Sequence, residues 1–167
     1  MIGFEQIYEH EKILMGKLID GLSKFDSITV YGDLNLVRCG ALSFNHKQID
    51  HGLLAAILND YYAIAVRNEC FCAHPYVSSL LKAELWELDL SDVPEQQQES
   101  YINRKRGMVR ASLSLYNNSD DIEQLLNAIA EIDRNIDDYR EHYRANDDGS
   151  YTHKNFSIDW QNELGLI

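Results

Sequence analysis

Residues 107–117 read GMVRASLSLYN, and this stretch decides the fold more than any other part of the chain. Its residues alternate between an apolar set (Val109, Ala111, Leu113, Leu115) and a second set that contains Arg110. An alternation with period two is typical of a strand with one buried face, so the stretch predicts a half-buried β-strand. Arg110 then lies in mid-strand, where its guanidinium needs solvent, an ion pair within the domain or an anionic ligand.

The residues after this strand carry the signature of a helix start. Asn118 followed by Asp121 resembles a capping box, and the adjacent carboxylates suit the positive end of a helix. Apolar residues spaced by three and four extend the helical pattern from about 119 to 140. The stretch therefore predicts a strand that leads directly into a long amphipathic helix.

Upstream of 107 the patterns alternate between helical and strand-like. They predict a helix over 3–25, strands over 28–32 and 40–45, a helix over 50–61 capped by Asp50, a strand over 63–68, and a short helix after Pro75. Residues 91–106 are polar and lack a strong period, and we interpret them as a loop insertion with room for one helical turn. Residues 143–167 are interpreted as a polar tail with Trp160 packing back. The order of elements predicts an α+β, two-layer sandwich: a small, mostly antiparallel sheet with helices packed on one face.

Composition excludes some classes of partner. The 167 residues carry a formal net charge of −12, which argues against binding to nucleic acid or to an anionic membrane. No apolar run approaches the ~20 residues that a membrane span needs. The chain turns charged soon after its start, unlike a signal peptide, so we expect a cytoplasmic protein with reduced thiols.

Two of the three cysteines lie together in residues 66–75, VRNECFCAHP. A metal site on Cys70, Cys72 and His74 would need a second ligand pair, and no such motif is present. An odd number of cysteines is also a poor disulfide framework. Two interpretations remain open: Cys72 is a reactive thiol on a loop beside Arg67, or both cysteines are buried and inert.

Three segments, in order, resemble the class-V aminotransferase family and specifically its cysteine desulfurase branch. AVRNECFCAHPYV resembles the segment A-V-R-x-G-x-x-C-A-x-P, and MVRASLSLYNNSDDIEQLLNAI resembles R-A-S-L-x-x-Y-N-T-x-x-E-I-D-x-L. The opening GFEQIYEHEKILMGKLIDGL is similar to the family's I-G-x-E-x-I-x-x-H-E helix. The similarity runs in register over about residues 2–140. One departure is Glu69-Cys70-Phe71, where desulfurases usually have Gly-His-His.

The resemblance implies a small C-terminal domain over 2–142 with an insertion at about 91–106, followed by a tail over 143–167. It also implies pyridoxal phosphate as the cofactor, held on a lysine of a large domain that is not in this chain. By resemblance Cys72 is the catalytic, persulfide-forming cysteine, while Arg110 and Arg67 bind the substrate. No residue of this chain is expected to hold the cofactor or a metal.

The function expected from the resemblance is a substrate-closing domain of a transferase, inactive alone. Its partners would be the large domain, on the same gene or a separate chain, and an amino-acid substrate. The alternative is a non-catalytic sulfur carrier or binding module that uses Cys72. A third interpretation is a degenerate domain retained only for assembly.

Overall fold

A computed structural model describes residues 3–36, 38, 40–146, 148–157, 163 and 165. Its elements, in chain order, are α1 (Phe4–Leu22), β1 (Ile28–Val30), β2 (Ala41–His46), α2 (His51–Tyr62), α3 (His74–Leu80), α4 (Lys82–Trp86), α5 (Glu95–Lys105), β3 (Val109–Ser112), α6 (Ser119–Arg134), α7 (Ile136–His142), β4 (Tyr143–Ala145) and β5 (Tyr151–His153). This content confirms the predicted α+β class. None of the helices in these ranges is both long enough and apolar enough to cross a membrane.

The main sheet has the order β1-β2-β3, and both pairings are antiparallel. Phe44 of β2 lies opposite Val30 on one side and Val109 on the other, while Ser43 lies opposite Arg110. Successive side chains of a strand point to opposite faces. The register therefore separates a face that contains Phe44 and Val109 from a face that contains Arg110.

The Phe44 face carries the main hydrophobic core. Leu42, Phe44 and Val109 are almost fully buried there, and the long helices α1, α2 and α6 supply the rest of the cluster. The alternation predicted for 107–117 is confirmed over β3, where Val109 and Ala111 are buried, but the strand ends at Ser112 and Leu115 is exposed. Met108 belongs to a separate, smaller cluster beneath α3 and α4. The Arg110 face is thus free of the long helices.

The helix start predicted after β3 is also confirmed. The Asn118 side chain accepts a hydrogen bond from the Asp120 N–H at 2.6 Å, and the Asp121 carboxylate accepts one from the Asn118 N–H at 2.9 Å. The helix is shorter than predicted, because it ends at Arg134 and α7 begins at Ile136. Asn135 interrupts it: its side chain donates to the Glu131 carbonyl and competes with the regular backbone pattern.

The strand predicted over 63–68 is wrong in extent. Within residues 63–68, only Arg67 forms a β-bridge, and its backbone pairs antiparallel with that of Arg110 in β3. Ala63 ends α2 in the left-handed conformation, and the Ile64 N–H donates to the Leu58 carbonyl at the helix end. That local bond turns the start of the segment back to α2, so pairing with the sheet begins only near residue 67.

The loop predicted over 91–106 is mostly the helix α5. None of the residues of α5 is fully buried, so an apolar stripe, the usual sequence signal of a helix, is missing. Its charges suit a helix all the same, with Glu95 in the first turn and Arg104 and Lys105 in the last. The ion pair of Lys105 with Asp50 connects the C-terminal end of α5 to the start of α2.

The tail predicted from residue 143 contains the β4–β5 hairpin. Tyr143 belongs to the main core and Tyr151 packs against it. The Tyr151 hydroxyl donates to Asp50 at 2.7 Å, and the Asp50 carboxylate also pairs with Lys105. Asp50 occupies the predicted cap position of α2, but its side chain serves these contacts and makes no cap bond. Trp160 lies outside the described residues, and the division at 142/143 stays a prediction.

Candidate functional site

Two arginines from distant parts of the chain meet at the edge of the main sheet. The Arg110 N–H donates to the Arg67 carbonyl at 2.6 Å, and the Arg67 N–H donates to the Arg110 carbonyl at 3.1 Å. The Met108 N–H then donates to the Glu69 carbonyl at 3.1 Å, which extends the same ladder toward the cysteines. The backbone therefore holds the two predicted substrate-binding residues side by side.

The Arg110 side chain lies on the face away from the main core and is half-buried. Its guanidinium carbon stands 4.9 Å from the centre of the Phe71 ring, and its Nε is buried without a hydrogen-bond partner. Within the described part of the chain it makes no ion pair, so the ion-pair interpretation of Arg110 is not supported there. An unsatisfied buried donor is costly, and an anion bound at this position would remove that cost.

Residues 69–73, which we call the cysteine loop, follow the ladder directly. Glu69, Phe71 and Cys72 all have positive φ, at 81°, 52° and 60°, and the Ala73 N–H closes a tight turn on the Cys70 carbonyl at 2.7 Å. Left-handed backbone costs a residue with a side chain about 1–2 kcal/mol. The family segment has its glycine at the position of Glu69, which is the residue type that adopts this conformation without strain.

The two cysteines of the loop have different environments. Cys70 is buried, and its thiol donates to the Arg106 carbonyl at 3.2 Å. Burial raises the pKa of the Cys70 thiol, the nearby Arg106 charge lowers it, and the Glu69 carboxylate raises it. Cys72 is exposed. The predicted burial of both cysteines is therefore wrong for Cys72 and confirmed for Cys70, and the reactivity of each thiol stays a prediction.

This difference predicts selective alkylation. We expect iodoacetamide at pH 8 to modify Cys72 at least about tenfold faster than Cys70, because the thiolate is the reactive form and Cys70 is shielded and held protonated. Peptide mapping by mass spectrometry of a timed reaction measures both rates. In Cys72→Ser, the alkylation of Cys70 should remain slow. Equal alkylation rates for the two thiols in the wild-type chain would contradict a buried Cys70 beside an exposed Cys72.

An open cleft of about 420 Å³ adjoins the cysteine loop. Its walls come from α2, the cysteine loop, the end of α5 and the tip of the β4–β5 hairpin; they include His51, Arg67, Glu69, Cys72, His74, Asn103, Arg104, Arg106 and Asp148. We call it the arginine cleft. Sequence analysis missed His51, Arg104 and Arg106, since the histidine has no motif around it and both arginines lie in a segment interpreted as a loop.

His51 forms the inner wall of the arginine cleft. It is 6% exposed, and burial lowers the pKa of its imidazole, so the ring is neutral near pH 7. Its Nδ1 lies 3.5 Å from the Asn68 amide, and its Nε2 is buried without a partner. The ring fills the space where Gly107 has no side chain, because a Cβ there would stand 2.3 Å from Nε2. His51 thus ties α2 to both sequence segments that form the site.

Metal ligation by the cysteine segment is not supported by the geometry. Cys70 faces the protein interior and Cys72 faces solvent. Among the described residues, no three His, Cys, Asp or Glu side chains gather closely enough to hold a metal ion. The site is instead built from guanidiniums, one exposed thiol and a neutral imidazole.

Comparison with known proteins agrees with the family resemblance found in the sequence. The sequence model of the family "Aminotransferase class-V" matches residues 1–125. A cysteine desulfurase of Yersinia pseudotuberculosis serotype O:1b (strain IP 31758) is 29% identical over 133 residues, which is 80% of this chain and 26% of that protein. A cysteine desulfurase of Haloferax volcanii is 28% identical over 128 residues, covering 77% of this chain and 24% of the other.

Two solved structures are also similar to this chain. The apo cysteine desulfurase of Thermococcus onnurineus NA1 superposes with a TM-score of 0.56 and 28% identity, over 75% of this chain and 26% of that one. The Escherichia coli cysteine desulfurase CsdA, in its S-sulfonic acid form, superposes with a TM-score of 0.57 over 80% of this chain and 27% of the other, and at 21% identity it supports the fold alone. The chain spans about a quarter of the length of these relatives.

Proposed function

The chain belongs to the class-V aminotransferase family, and from this premise we propose that it is the substrate-closing domain of a pyridoxal-phosphate enzyme of the cysteine desulfurase type. One observation carries the proposal: the Arg110 guanidinium is held on an aromatic ring, with a buried Nε, and has no ion-pair partner among the described residues. A substrate carboxylate is the anion that this arrangement suits, since a guanidinium binds a carboxylate through two parallel hydrogen bonds.

The residues of the arginine cleft indicate which part of the site this chain would supply. No lysine is among the described residues that line the arginine cleft, so this chain would present the substrate to a cofactor held by another lobe. Pyridoxal phosphate, bound there, supplies an electron sink for the bond pair released at the substrate carbon. The residues of this chain therefore fit the substrate side of such a site, and the large domain would be its partner.

Each named residue would have one task. Arg110, steadied by the Phe71 ring, would bind the α-carboxylate and set the orientation of the amino acid, with Arg67 beside it. The Cys72 thiolate would form a sulfur–sulfur bond to the substrate sulfur as the carbon–sulfur bond breaks. Cys72 is exposed and lies on a strained loop, and both properties support the proposed attack of its thiolate on the substrate sulfur.

A second candidate function is a sulfur carrier without catalysis of its own. The exposure of Cys72, opposite the burial of Cys70, favours it. A carrier needs the thiol but has no use for a carboxylate site. Carboxylate binding at Arg110 therefore separates the two functions.

Propionate provides the test. We expect a titration followed by NMR at low ionic strength to shift the signals of Arg110, Arg67 and Phe71 saturably. Arg110→Gln should weaken this binding by about tenfold or more, because a hydrogen bond to a charged group is worth ~1.5–3 kcal/mol.

The matched control is Arg144→Gln. Arg144 is exposed on β4 and does not line the arginine cleft, so its loss should leave the propionate shifts unchanged. If propionate produces no saturable shifts, or binds Arg110→Gln as well as wild type, the substrate-closing function is overturned and the carrier function is favoured.

A further inference from the structure

Phe71 connects the arginine of the proposed carboxylate site to the cleft that contains the exposed thiol. Phe71 lines the arginine cleft, and the centre of its ring lies 4.9 Å from the guanidinium carbon of Arg110, which does not line that cleft. The next residue in the chain, Cys72, lines the cleft as well. A single side chain is therefore in contact with Arg110 and covalently adjacent to the residue that carries the thiol.

The turn that presents Cys72 is strained. Phe71 and Cys72 are the two central residues of the turn that the Ala73 N–H closes on the Cys70 carbonyl, and their φ angles are 52° and 60°. This left-handed conformation is unfavourable for residues with a side chain, and it persists only where the surrounding structure holds it. The position of the Cys72 thiol therefore depends on the contacts that fix Phe71.

Two kinds of contact hold the Phe71 side chain. It packs against the small hydrophobic cluster beneath α3 and α4, which includes Val77 and Met108, and its ring lies against the Arg110 guanidinium. An arginine side chain loses rotamer entropy when it is fixed in place, and a carboxylate that already holds the guanidinium removes that cost from the contact with the ring. A guanidinium also stacks on aromatic rings through its plane, so the contact persists when its charge is paired.

We infer that Phe71 is a positioning residue that couples the carboxylate site to the thiol. A carboxylate bound by Arg110 fixes the guanidinium, the guanidinium fixes the Phe71 ring, and the ring stabilises the strained turn that presents Cys72. This inference rests on the proposed function, in which Arg110 binds the α-carboxylate of an amino acid. Its consequence is that the cysteine loop becomes ordered, and the thiol correctly placed, when the substrate occupies its site.

The coupling is reciprocal, because two linked binding equilibria share one free energy. If a bound carboxylate stabilises the contact between Phe71 and Arg110, that contact strengthens carboxylate binding by the same factor. Loss of the ring should therefore loosen the turn and weaken carboxylate binding together. From the usual strength of a cation–π contact at a partly exposed site, we expect a factor of about three for each effect.

Hydrogen exchange of the Ala73 amide provides the test, because this N–H closes the turn. In the wild-type chain, at pH 7 and low ionic strength, we expect saturating propionate to slow the exchange of this amide about threefold, as measured by NMR. Phe71→Leu keeps an apolar side chain against the small cluster but removes the ring; it should abolish this response and weaken propionate binding about threefold. Phe71→Tyr keeps the ring and should retain both properties, whereas Arg110→Gln should lose the response.

Tyr101→Leu is the matched control, because it removes a different ring from a different guanidinium, that of Arg104 at 5.8 Å. This variant should leave the response of Ala73 to propionate unchanged. If propionate binds to the wild-type chain without slowing this exchange, or slows it equally in Phe71→Leu, the coupling is overturned and the carboxylate site remains. Absence of saturable propionate binding to the wild-type chain would overturn the proposed function, and the coupling with it.

Discussion

Gly107→Ala is expected to lower the free energy of unfolding by about 3 kcal/mol, because the added methyl would overpack a buried site. A Cβ at 107 would lie 2.3 Å from Nε2 of His51, with two ring carbons at 2.6 and 2.7 Å. The ring is rigid and 6% exposed, so it has little room to move. The Gly107 carbonyl also accepts the Asn45 amide at 2.8 Å, which holds the backbone in place. Urea denaturation measures the change.

Two variants make this prediction specific. Gly16→Ala in α1 has open space around it and should raise stability by about 0.5–1 kcal/mol, since alanine is the better helix residue. The double variant His51→Ala with Gly107→Ala should be no less stable than His51→Ala alone, because the methyl then enters vacated space. If Gly107→Ala folds with wild-type stability, His51 does not occupy the position described.

Phe44→Ala is expected to cost about 4 kcal/mol, the largest effect among these predictions, because it empties the centre of the core. Phe44 is 0% exposed and lies on the middle strand of the main sheet, with Val30 on one side and Val109 on the other. Its neighbours belong to two strands and cannot all close the cavity without breaking the ladder. Thermal unfolding should show a large fall in Tm.

Phe4→Ala is the matched control, because it removes the same ring from a residue that is 91% exposed. Its effect should stay within about 0.5 kcal/mol. Phe44→Leu, which keeps most of the apolar volume, should recover a large part of the loss. A cost below about 2 kcal/mol for Phe44→Ala would show that the core is not centred on this residue.

Local patterns predicted the parts of this protein that bury one face. The Asn118–Asp121 capping box and the helix α1 appear in the structure as predicted, and the alternation predicted for 107–117 appears over Val109–Ser112. The same rules missed α5, which buries no residue completely, and the β4–β5 hairpin, whose strands have three residues each. Three residues are too few to show an alternation, and a helix without a buried stripe has no period to detect.

Sequence alone determined the residue types of the candidate site: one arginine in a strand, a second arginine before a cysteine loop, and Cys72 within it. Only the tertiary structure decided which groups share a cleft. Arg67 and Arg110 are neighbours because antiparallel pairing joins residues 43 positions apart. His51, Arg104 and Arg106 join Arg67 in the arginine cleft from other elements, whereas Arg110 does not line that cleft. Charge compensation depends on distances in space, so the unpaired state of these arginines could not be inferred from their order in the chain.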